Sequence, residues 1–216
     1  MPRRTPSIIT IIPMKSIHIA KSRLMPYLDA PIRKNLVLNM LAHVIDAAKR
    51  TSKEVWTIGS DPTIRQIARQ EGAIWVEEMG ATVNQTLRIA FEEVWKKKEA
   101  GLYLPGDLPF IKKDDIDELL ESAPHRKNGV LVPSRSHGGT NAILLPKPST
   151  FQPLLGPRSF HKHMNEARTL GLRISIHFSP GLAMDLDTWE DLRDYEALAP
   201  EFLGSFTRPL TTNAEP

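Results

Sequence analysis

The sequence predicts an α/β fold in which a mostly parallel central sheet is flanked by helices. Short apolar runs alternate with helical patterns along the chain, which is typical of parallel strands joined by crossover helices. The 216 residues are 41% apolar and 25% charged, ordinary values for a chain that buries one sizeable core. Acidic residues follow two of the apolar runs, and ligands of such sheets collect at the carboxyl ends of the strands.

Short apolar runs bounded by proline, glycine or charged residues predict the strands, because buried parallel strands are almost continuously apolar. The first run is closed by Pro13, which cannot donate to a sheet ladder. In chain order the predicted strands are Ile8–Ile12, Val55–Gly59, Ala73–Val76, Leu102–Leu104, Val130–Val132, Ala142–Leu145 and Arg173–Phe178.

Helices are predicted where apolar residues recur at helical spacing between these runs. Asp61 and Pro62 are typical of an N-cap and a first helical position, and Gly72 ends that helix. Thr188 and Asp191 form a capping-box pattern that opens the last helix. The other predicted helices are Asn35–Lys49, Asn84–Lys98, Asp114–Glu121 and Ser159–Leu170.

These elements predict a single domain over residues 8–199, with residues 1–7 and 200–216 as loose tails. The chain contains no cysteine, which excludes disulfides, thiolate catalysis and Cys-ligated metal sites. No apolar stretch approaches the roughly 18 residues of a membrane span, and the basic N-terminus lacks a signal-peptide pattern. We therefore expect a cytoplasmic protein without membrane contact. The net charge of +3 is too small and scattered to indicate nucleic acid, but it suits an anionic small molecule.

Acidic residues at two strand ends suggest a metal-dependent nucleotide-handling enzyme. Asp107 follows the run Leu102–Leu104 in a loop fixed by proline and glycine, and Asp185 and Asp187 form a second acidic segment. Such carboxylates are suited to hold a divalent cation against phosphates. Alternatively, Asp107 bonds its own turn, and Asp187 serves the following helix N-terminus. Of the pair, Asp185 is favoured as the ligand.

Cations follow the first strand at Lys15, Lys21 and Arg23, where they could bind a triphosphate; a solvated basic loop is the equal alternative. Asn84 and Gln85 follow Gly80 and offer paired donors and acceptors for a base or ribose edge. Helix capping by Asn84 is the competing interpretation, and one residue could do both.

Two further loops contain candidate anion-binding hydroxyls. Thr140 follows the glycines of the loop that begins at His137, although a plain hairpin turn would also explain them. Ser159 lies at a predicted helix N-terminus, with Gly156 before it leaving room for a ligand, and a capping role is the alternative. His163 is expected to point inward and His161 toward solvent, so a zinc pair is not favoured.

The order of five motifs resembles that of a known family, although no single motif is specific. The motifs are Lys15…Lys21-Ser22-Arg23-Leu24, Leu104-Pro105-Gly106-Asp107-Leu108-Pro109, Gly139-Thr140-Asn141-Ala142, Gly156-Pro157-Arg158-Ser159-Phe160…His163…Ala167 and Gly181-Leu182-Ala183-Met184-Asp185-Leu186-Asp187-Thr188. They resemble the 2-phospho-L-lactate guanylyltransferase family, which includes the phosphoenolpyruvate guanylyltransferases of coenzyme F-420 biosynthesis. The chain departs from the family pattern at Gly80–Asn84, where glycines are few, and at Gly106, Leu155 and Trp189.

The resemblance implies a GT-A-like nucleotidyltransferase fold, a Rossmann-like three-layer sandwich. It also implies transfer of GMP from GTP to phosphoenolpyruvate or 2-phospho-L-lactate, with Mg²⁺ and release of pyrophosphate. A homodimer is one candidate assembly. The implied roles are catalysis by Asp107, Lys15 and Lys21; GTP binding by Lys15, Lys21, Arg23, Gly80, Asn84 and Gln85; acceptor binding by Thr140, Gly156 and Ser159; and metal binding by Asp107, Asp185 and Asp187.

Other functions stay open at this point. The same chemistry could use 3-phospho-D-glycerate as acceptor, or the chain could be a nucleotidyltransferase for another NTP and small molecule. From a different class, it could be a non-catalytic nucleotide-binding module, although retention of all three acidic candidates argues against that.

Overall fold

The computed structural model describes residues 7–97, 99–123, 128–136, 138–146 and 149–210, and its centre is a seven-stranded sheet. The strands within these residues are β1 Ile8–Pro13, β2 Glu54–Gly59, β3 Ile74–Glu77, β4 Ala100–Tyr103, β5 Gly129–Pro133, β6 Thr140–Leu145 and β7 Ile174–Ile176. Each predicted strand is present, and its bounds shift by one or two residues. Lys98 and His137, which belonged to predicted features, lie outside the described residues.

The sheet has the strand order β3-β2-β1-β4-β6-β5-β7 and contains one reversed strand among the described residues. Strands β1 to β4 pair in parallel, and β5 pairs in parallel with β7. Strand β6 is antiparallel to both β4 and β5. The beginning of β6 therefore lies at the same edge of the sheet as the carboxyl ends of β1, β4 and β5.

Helices cover both faces of the sheet, which confirms the predicted α/β class. The described α-helices are α1 Ala30–Lys49, α2 Pro62–Gln70, α3 Val83–Lys96, α4 Lys113–Glu121, α5 Ser159–Thr169, α6 Pro180–Ala183, α7 Trp189–Leu198 and α8 Phe202–Thr207, and Ser22–Leu24 form a short 3-10 helix. Helix α1 begins earlier than predicted, because Asp29 accepts a hydrogen bond from the Ile32 backbone at 2.9 Å and caps it before the apolar pattern starts. No helix of the described chain is long and apolar enough to cross a membrane.

The side chains of β1 alternate between two apolar layers. Ile8 and Ile12 pack in a cluster with residues of α1, α2 and α4. Ile9 and Ile11 pack on the opposite face with residues of α3 and α5. Because strand residues point alternately to opposite faces, one strand contributes to both layers. The result is the expected three-layer arrangement.

The prediction of a loose tail from residue 200 is wrong for residues 202–207, which form α8. Phe202 is buried, with its ring 5.5 Å from that of Phe110 and 5.7 Å from that of Tyr195. Asn39 of α1 donates to the backbone oxygen of Phe206 at 2.9 Å. The apolar side chains of α8 anchor this segment on α1. Residues 1–6 and 211–216 of the predicted tails lie outside the described residues.

Candidate active site

The two acidic segments lie side by side at the carboxyl edge of the sheet. Asp107 follows β4 after a loop that begins with Leu104, whose backbone N–H continues the ladder to Ile11 of β1 at 3.0 Å. The backbone oxygen of Asp107 accepts from the N–H of Leu186 at 3.1 Å. This backbone hydrogen bond places Asp185 and Asp187, on either side of Leu186, next to Asp107.

Lys21 bridges the carboxylates of this edge. Its ammonium group donates to Asp107 Oδ2 and to Asp187 Oδ1, the latter at 2.9 Å. The Lys21 side chain is only 7% exposed, whereas the Arg23 guanidinium, 3.9 Å from Asp187 Oδ2, belongs to a side chain that is 65% exposed. Asp107 Oδ1 is buried and has no hydrogen-bond partner among the described residues. The cluster therefore retains one unsatisfied buried carboxylate oxygen.

Burial and charge act in opposite directions on this cluster. Burial alone would lower the pKa of Lys21, but the carboxylates of Asp107 and Asp187 outweigh it and hold that pKa above its ordinary value. The Lys21 charge lowers the pKa of Asp187. Burial raises the pKa of Asp107, and the Lys21 charge opposes this effect. Lys21 thus stays charged at neutral pH and keeps Asp187 ionised.

Asp185 is held by hydrogen bonds from the residue that follows β5 and from β6. Its Oδ1 accepts from Ser134 Oγ at 2.6 Å and from Asn141 Nδ2 at 2.9 Å. The hydroxyl of Tyr195 donates to the Asp185 backbone oxygen at 2.7 Å. These partners orient Asp185, while Asp187 is the member of the pair that shares Lys21 with Asp107. In the described chain, no three His, Asp or Glu side chains converge closely enough to hold a metal by themselves.

The basic loop after β1 is anchored to α2 by Asp61. One carboxylate oxygen of Asp61 accepts from Ser16 Oγ and the Ile17 backbone, both at 3.0 Å. The other oxygen accepts from the Thr63 backbone at 2.9 Å and caps α2 as predicted. Lys15 is exposed on this loop, and its charge contributes to the lowered pKa of Asp187. Asp61 therefore positions the loop that brings Lys15 and Lys21 to the carboxylates, a role that the capping pattern alone did not reveal.

The side chains of Asn84 and Gln85 are engaged within the protein. Asn84 Oδ1 accepts from the Leu155 backbone at 2.7 Å, and its amide donates to the Leu155 oxygen at 3.2 Å. Gln85 accepts from the Ala81 backbone at 3.1 Å. The competing interpretation of Asn84 as a cap is wrong, because Thr82 caps α3. Asn84 instead ties α3 to the loop that carries Gly156.

Gly80 lies directly against the first turn of α3. A Cβ at this position would approach the Thr86 backbone nitrogen to 2.7 Å, closer than real Cβ atoms come. This close approach requires glycine at position 80 and lets the segment before α3 pack directly on the helix.

The three predicted acceptor-binding residues meet near the beginning of β6. Ser159 Oγ lies 3.3 Å from Thr140 Oγ1, and the Ser159 backbone donates to the Gly156 oxygen at 3.1 Å. Gly156 has φ +124°, a backbone conformation that favours glycine. Ser159 does not cap α5, since the N-cap is Arg158 and no side-chain cap bond is made there. The Ser159 hydroxyl faces Thr140 instead.

His163 points inward as predicted, and His161 is exposed. The imidazole of His163 lies between the loop before α5 and the beginning of β6. Its Nε2 accepts from the Leu154 backbone at 2.7 Å, and its Nδ1 lies 2.9 Å from Thr140 Oγ1. His163 therefore contacts the Thr140 hydroxyl directly.

Sequence comparison identifies the family to which this arrangement belongs. Residues 8–197 match the family model described as Guanylyl transferase CofC like. The chain belongs to this family. The phosphoenolpyruvate guanylyltransferase of Sphaerobacter thermophilus is 36% identical to it over 196 residues, which are 89% of this chain and 94% of the relative. The 2-phospho-L-lactate guanylyltransferase of Methanocaldococcus infernus is 34% identical over 183 residues, 85% of this chain and 82% of the relative.

Solved structures share the fold of this CofC-like chain. A nucleotide-diphospho-sugar transferase of Desulfovibrio desulfuricans aligns with a TM-score of 0.72 at 13% identity, over 96% of this chain and 92% of that one. A 4-diphosphocytidyl-2C-methyl-D-erythritol synthase of Anaerococcus prevotii aligns with a TM-score of 0.57 at 12% identity, over 90% and 96%. The predictions of the nucleotidyltransferase fold and of a guanylyltransferase family are confirmed.

Two polar residues of the CofC-like site were not predicted from the sequence. Ser134 and Asn141 orient Asp185; Ser134 is the first residue after β5, and Asn141 lies in β6. A signal for Asn141 was available, because it follows Thr140 in a strand and neighbouring strand residues face opposite ways. Thr140 faces α5, so Asn141 faces the acidic segment. Ser134 gave no comparable signal, since loop serines are common.

Proposed function

We propose that this protein transfers GMP from GTP to the phosphate of a small phosphorylated three-carbon acid and releases pyrophosphate. The proposed acceptor is phosphoenolpyruvate or 2-phospho-L-lactate, as named for the relatives, in coenzyme F-420 biosynthesis in the cytoplasm. The observation that supports this most is the Lys21–Asp107–Asp187 cluster at the same sheet edge as the hydroxyls of Thr140 and Ser159. Transfer from a nucleoside triphosphate to an anionic acceptor requires that the binding sites of the two substrates lie at the same edge of the sheet. Nucleic acid and membranes are not proposed partners, and a homodimer is the proposed assembly.

The acidic residues fit the divalent metal that we propose, Mg²⁺. Asp107 Oδ1 is buried without a partner in the described chain, as a carboxylate oxygen awaiting a cation would be. Mg²⁺ is usually bound by one or two carboxylates together with substrate phosphates and waters. Asp107 with Asp185 or Asp187 would supply that number of ligands. When bound, Mg²⁺ would neutralise phosphate charge and orient both reactants.

The proposed reaction needs positioning more than proton transfer. An acceptor phosphate oxygen attacks the α-phosphorus of GTP, and the bond to the pyrophosphate oxygen breaks as the new P–O bond forms. The nucleophile is already anionic, so no strong general base is required. Lys15, Lys21 and Arg23 would bind the triphosphate and stabilise the charge that moves to pyrophosphate. Thr140, Ser159 and the Gly156 backbone would seat the acceptor.

The nucleotide's guanosine is proposed to lie along the segment from Gly80 to Gln85. Gly80 allows the chain to approach α3 closely, and Asn84 fixes this segment to Leu155. Because the Asn84 and Gln85 side chains are already bonded to backbone groups, we propose that they shape this segment and that backbone groups contact the base.

A substrate screen tests the proposed function. The protein is incubated with Mg²⁺, each of the four NTPs, and phosphoenolpyruvate, 2-phospho-L-lactate or 3-phospho-D-glycerate, and pyrophosphate release and product mass are measured. We expect release only with GTP and one of the first two acids, and a product carrying one added GMP. Pyrophosphate release with another NTP, or with 3-phospho-D-glycerate, would show that the donor or the acceptor differs from the one proposed. No release with any combination would indicate a nucleotide-binding module.

Replacement of Asp107 tests the proposed metal and phosphate site. Asp107→Asn should lower kcat by at least about 100-fold, because the neutral amide binds the cation more weakly than a carboxylate and does not balance the charge of Lys21. Asp114→Asn, on the exposed first turn of α4, is the matched control and should retain wild-type turnover. Circular dichroism checks that both variants are folded. A near-normal kcat in Asp107→Asn would show that the Asp107 carboxylate is not required for the reaction.

A further inference from the structure

We infer that His163 is a positioning residue for acceptor recognition, because it fixes which hydrogen-bonding protons the Thr140–Ser159 pair can offer to an anionic oxygen of the acceptor. The inference rests on the proposed function, since it assigns a task to a residue behind the proposed acceptor site. None of the roles suggested by the sequence motifs requires this histidine.

The first step is the tautomer of His163. The Leu154 backbone N–H can only donate, and it lies 2.7 Å from Nε2. Nε2 must therefore accept, so that it carries no proton and Nδ1 carries the proton of the neutral ring. His163 is fully buried, and burial lowers its pKa to about 4, with the nearby Lys162 charge adding to the effect. The ring is neutral at pH 7, with its single N–H at Nδ1.

The second step is the direction of the next hydrogen bond. Nδ1 lies 2.9 Å from Thr140 Oγ1, and with the proton on Nδ1 the histidine donates to the Thr140 hydroxyl. Thr140 Oγ1 also lies 3.3 Å from Ser159 Oγ. The hydrogen-bond chain therefore runs from the Leu154 backbone through the ring to the paired hydroxyls.

The third step is a count of hydroxyl protons. Thr140 and Ser159 together carry two hydroxyl protons, and their mutual hydrogen bond uses one of them in either direction. Because His163 donates, no hydroxyl proton is spent on the ring. One proton remains for a ligand. In the opposite tautomer, Thr140 would donate to the ring and Ser159 to Thr140, and the pair would offer only lone pairs.

The ligand class follows from this count and from burial. Thr140 is 5% exposed and Ser159 is 2% exposed, so an oxygen that reaches them leaves bulk water. In such surroundings an unmatched donor or acceptor is costly, and a donor directed at a negative oxygen is favoured. The pair with His163 behind it is therefore a donor site for a phosphate or carboxylate oxygen of the acceptor acid.

Nuclear magnetic resonance tests the tautomer without any turnover. Long-range ¹H–¹⁵N correlation of the [¹⁵N]histidine-labelled protein at pH 7 distinguishes the protonated ring nitrogen, and His163→Phe assigns the resonance by its loss. We expect the proton on Nδ1 of His163. A proton on Nε2, or a doubly protonated ring, would overturn the inference whatever the enzyme's substrate.

Kinetics of matched variants test the consequence. His163→Phe keeps an aromatic ring near Phe151 but removes the donor, and His161→Phe is the exposed control on the same helix. We expect the acceptor KM to rise about 10-fold or more in His163→Phe, as for loss of a hydrogen bond to a charged group. The GTP KM should stay within about 2-fold, and His161→Phe should resemble wild type. Equal rises of both KM values, or no rise, would overturn the positioning role.

A variant that folds poorly does not block the test. Thr140→Val removes the hydroxyl that receives the His163 proton and keeps the branched shape, so it should raise the acceptor KM selectively as well. Ser159→Ala should raise it less, because the Ser159 hydroxyl donates to Thr140 and the proton left for the ligand is that of Thr140. A larger rise in Ser159→Ala than in Thr140→Val would contradict this count. Failure of the wild-type protein to release pyrophosphate with any acid would instead reject the proposed function and leave the tautomer result standing.

Discussion

His163 also makes the stability of this protein depend on pH. Its imidazole is buried against the ring of Phe151, with ring centroids 5.5 Å apart, and burial lowers its pKa to about 4. The unfolded chain has the ordinary histidine pKa near 6.5, so between these values only the unfolded state binds the proton. The stabilising contribution of the neutral ring is complete above pH 6.5 and is lost as the pH falls toward 4.

We predict that His163→Phe weakens this pH dependence. Between pH 7.5 and pH 4.5, wild type should lose more of its free energy of unfolding than the variant, by an amount on the order of 3 kcal/mol at most. Urea denaturation of both proteins at the two pH values measures the difference, and titration of surface carboxylates cancels in the comparison. Parallel pH profiles would show that the ring is not buried as a neutral group.

At the residue level, the sequence was informative about which carboxylates lie together, although the second acidic segment follows α6 and not a strand end as predicted. Asp107, Asp185 and Asp187 were predicted to converge, and the structure places them along neighbouring segments. The engagement of Asn84 with the Leu155 backbone was not predictable, because these residues are far apart in the chain and only the fold brings them together. The Lys21 bridge was missed for the same reason: spacing suggests a phosphate ligand but not which carboxylates it meets.

At the element level, the loop after β1 depends on the first turn of α2. The two carboxylate oxygens of Asp61 have separate tasks, one capping α2 and the other accepting from Ser16 and Ile17 of the loop. A capping residue is recognisable from the sequence because its partners are the next few backbone groups. The second task joins segments 44 residues apart and requires the sheet to be assembled first.

We predict that Asp61→Asn separates these two tasks. The remaining carbonyl oxygen can still cap α2, but an amide nitrogen cannot accept from the Ile17 backbone, which leaves that partly buried N–H unpaired. The free energy of unfolding should fall by about 1–2 kcal/mol, and the GTP KM should rise several-fold because the loop carries Lys15 and Lys21. Asp29→Asn is the control, since Asp29 caps α1 with a single backbone bond to Ile32. An unchanged GTP KM in Asp61→Asn would show that the position of this loop does not affect GTP binding.

Element boundaries were predicted less well than the elements themselves. The apolar pattern of α1 begins at Leu36, but the helix starts six residues earlier, at Ala30, because a polar first turn is set by the Asp29 cap. Helix α8 was missed because its few apolar residues do not form a long periodic pattern. Short helices of this kind are stabilised by tertiary packing and not by local propensity.

At the scale of the whole molecule, the reversed strand β6 explains why the acidic segment and the Thr140–Ser159 pair lie at the same edge of the sheet. Its beginning lies among the carboxyl ends of its neighbours, so Thr140 faces Ser159 of α5 and Asn141 faces the acidic segment. The acidic segment is held in turn by Tyr195 of α7, whose ring packs against Phe202 of α8. The C-terminal helices thus connect the site to the outer layer of the fold.

We predict that α8 is required for the stability of the whole domain. A chain ended after Ala199 loses the buried ring of Phe202 and leaves the amides of Asn35 and Asn39 without their partners on α8. Since truncating one buried phenylalanine typically costs about 3–5 kcal/mol, the free energy of unfolding should fall by at least that amount in urea denaturation. Gly204→Ala, at an exposed helix position with open space around it, should instead keep or slightly raise stability. An unchanged denaturation midpoint for the shortened chain would show that α8 is not part of the stable domain, which would then span residues 8–199 as the sequence predicts.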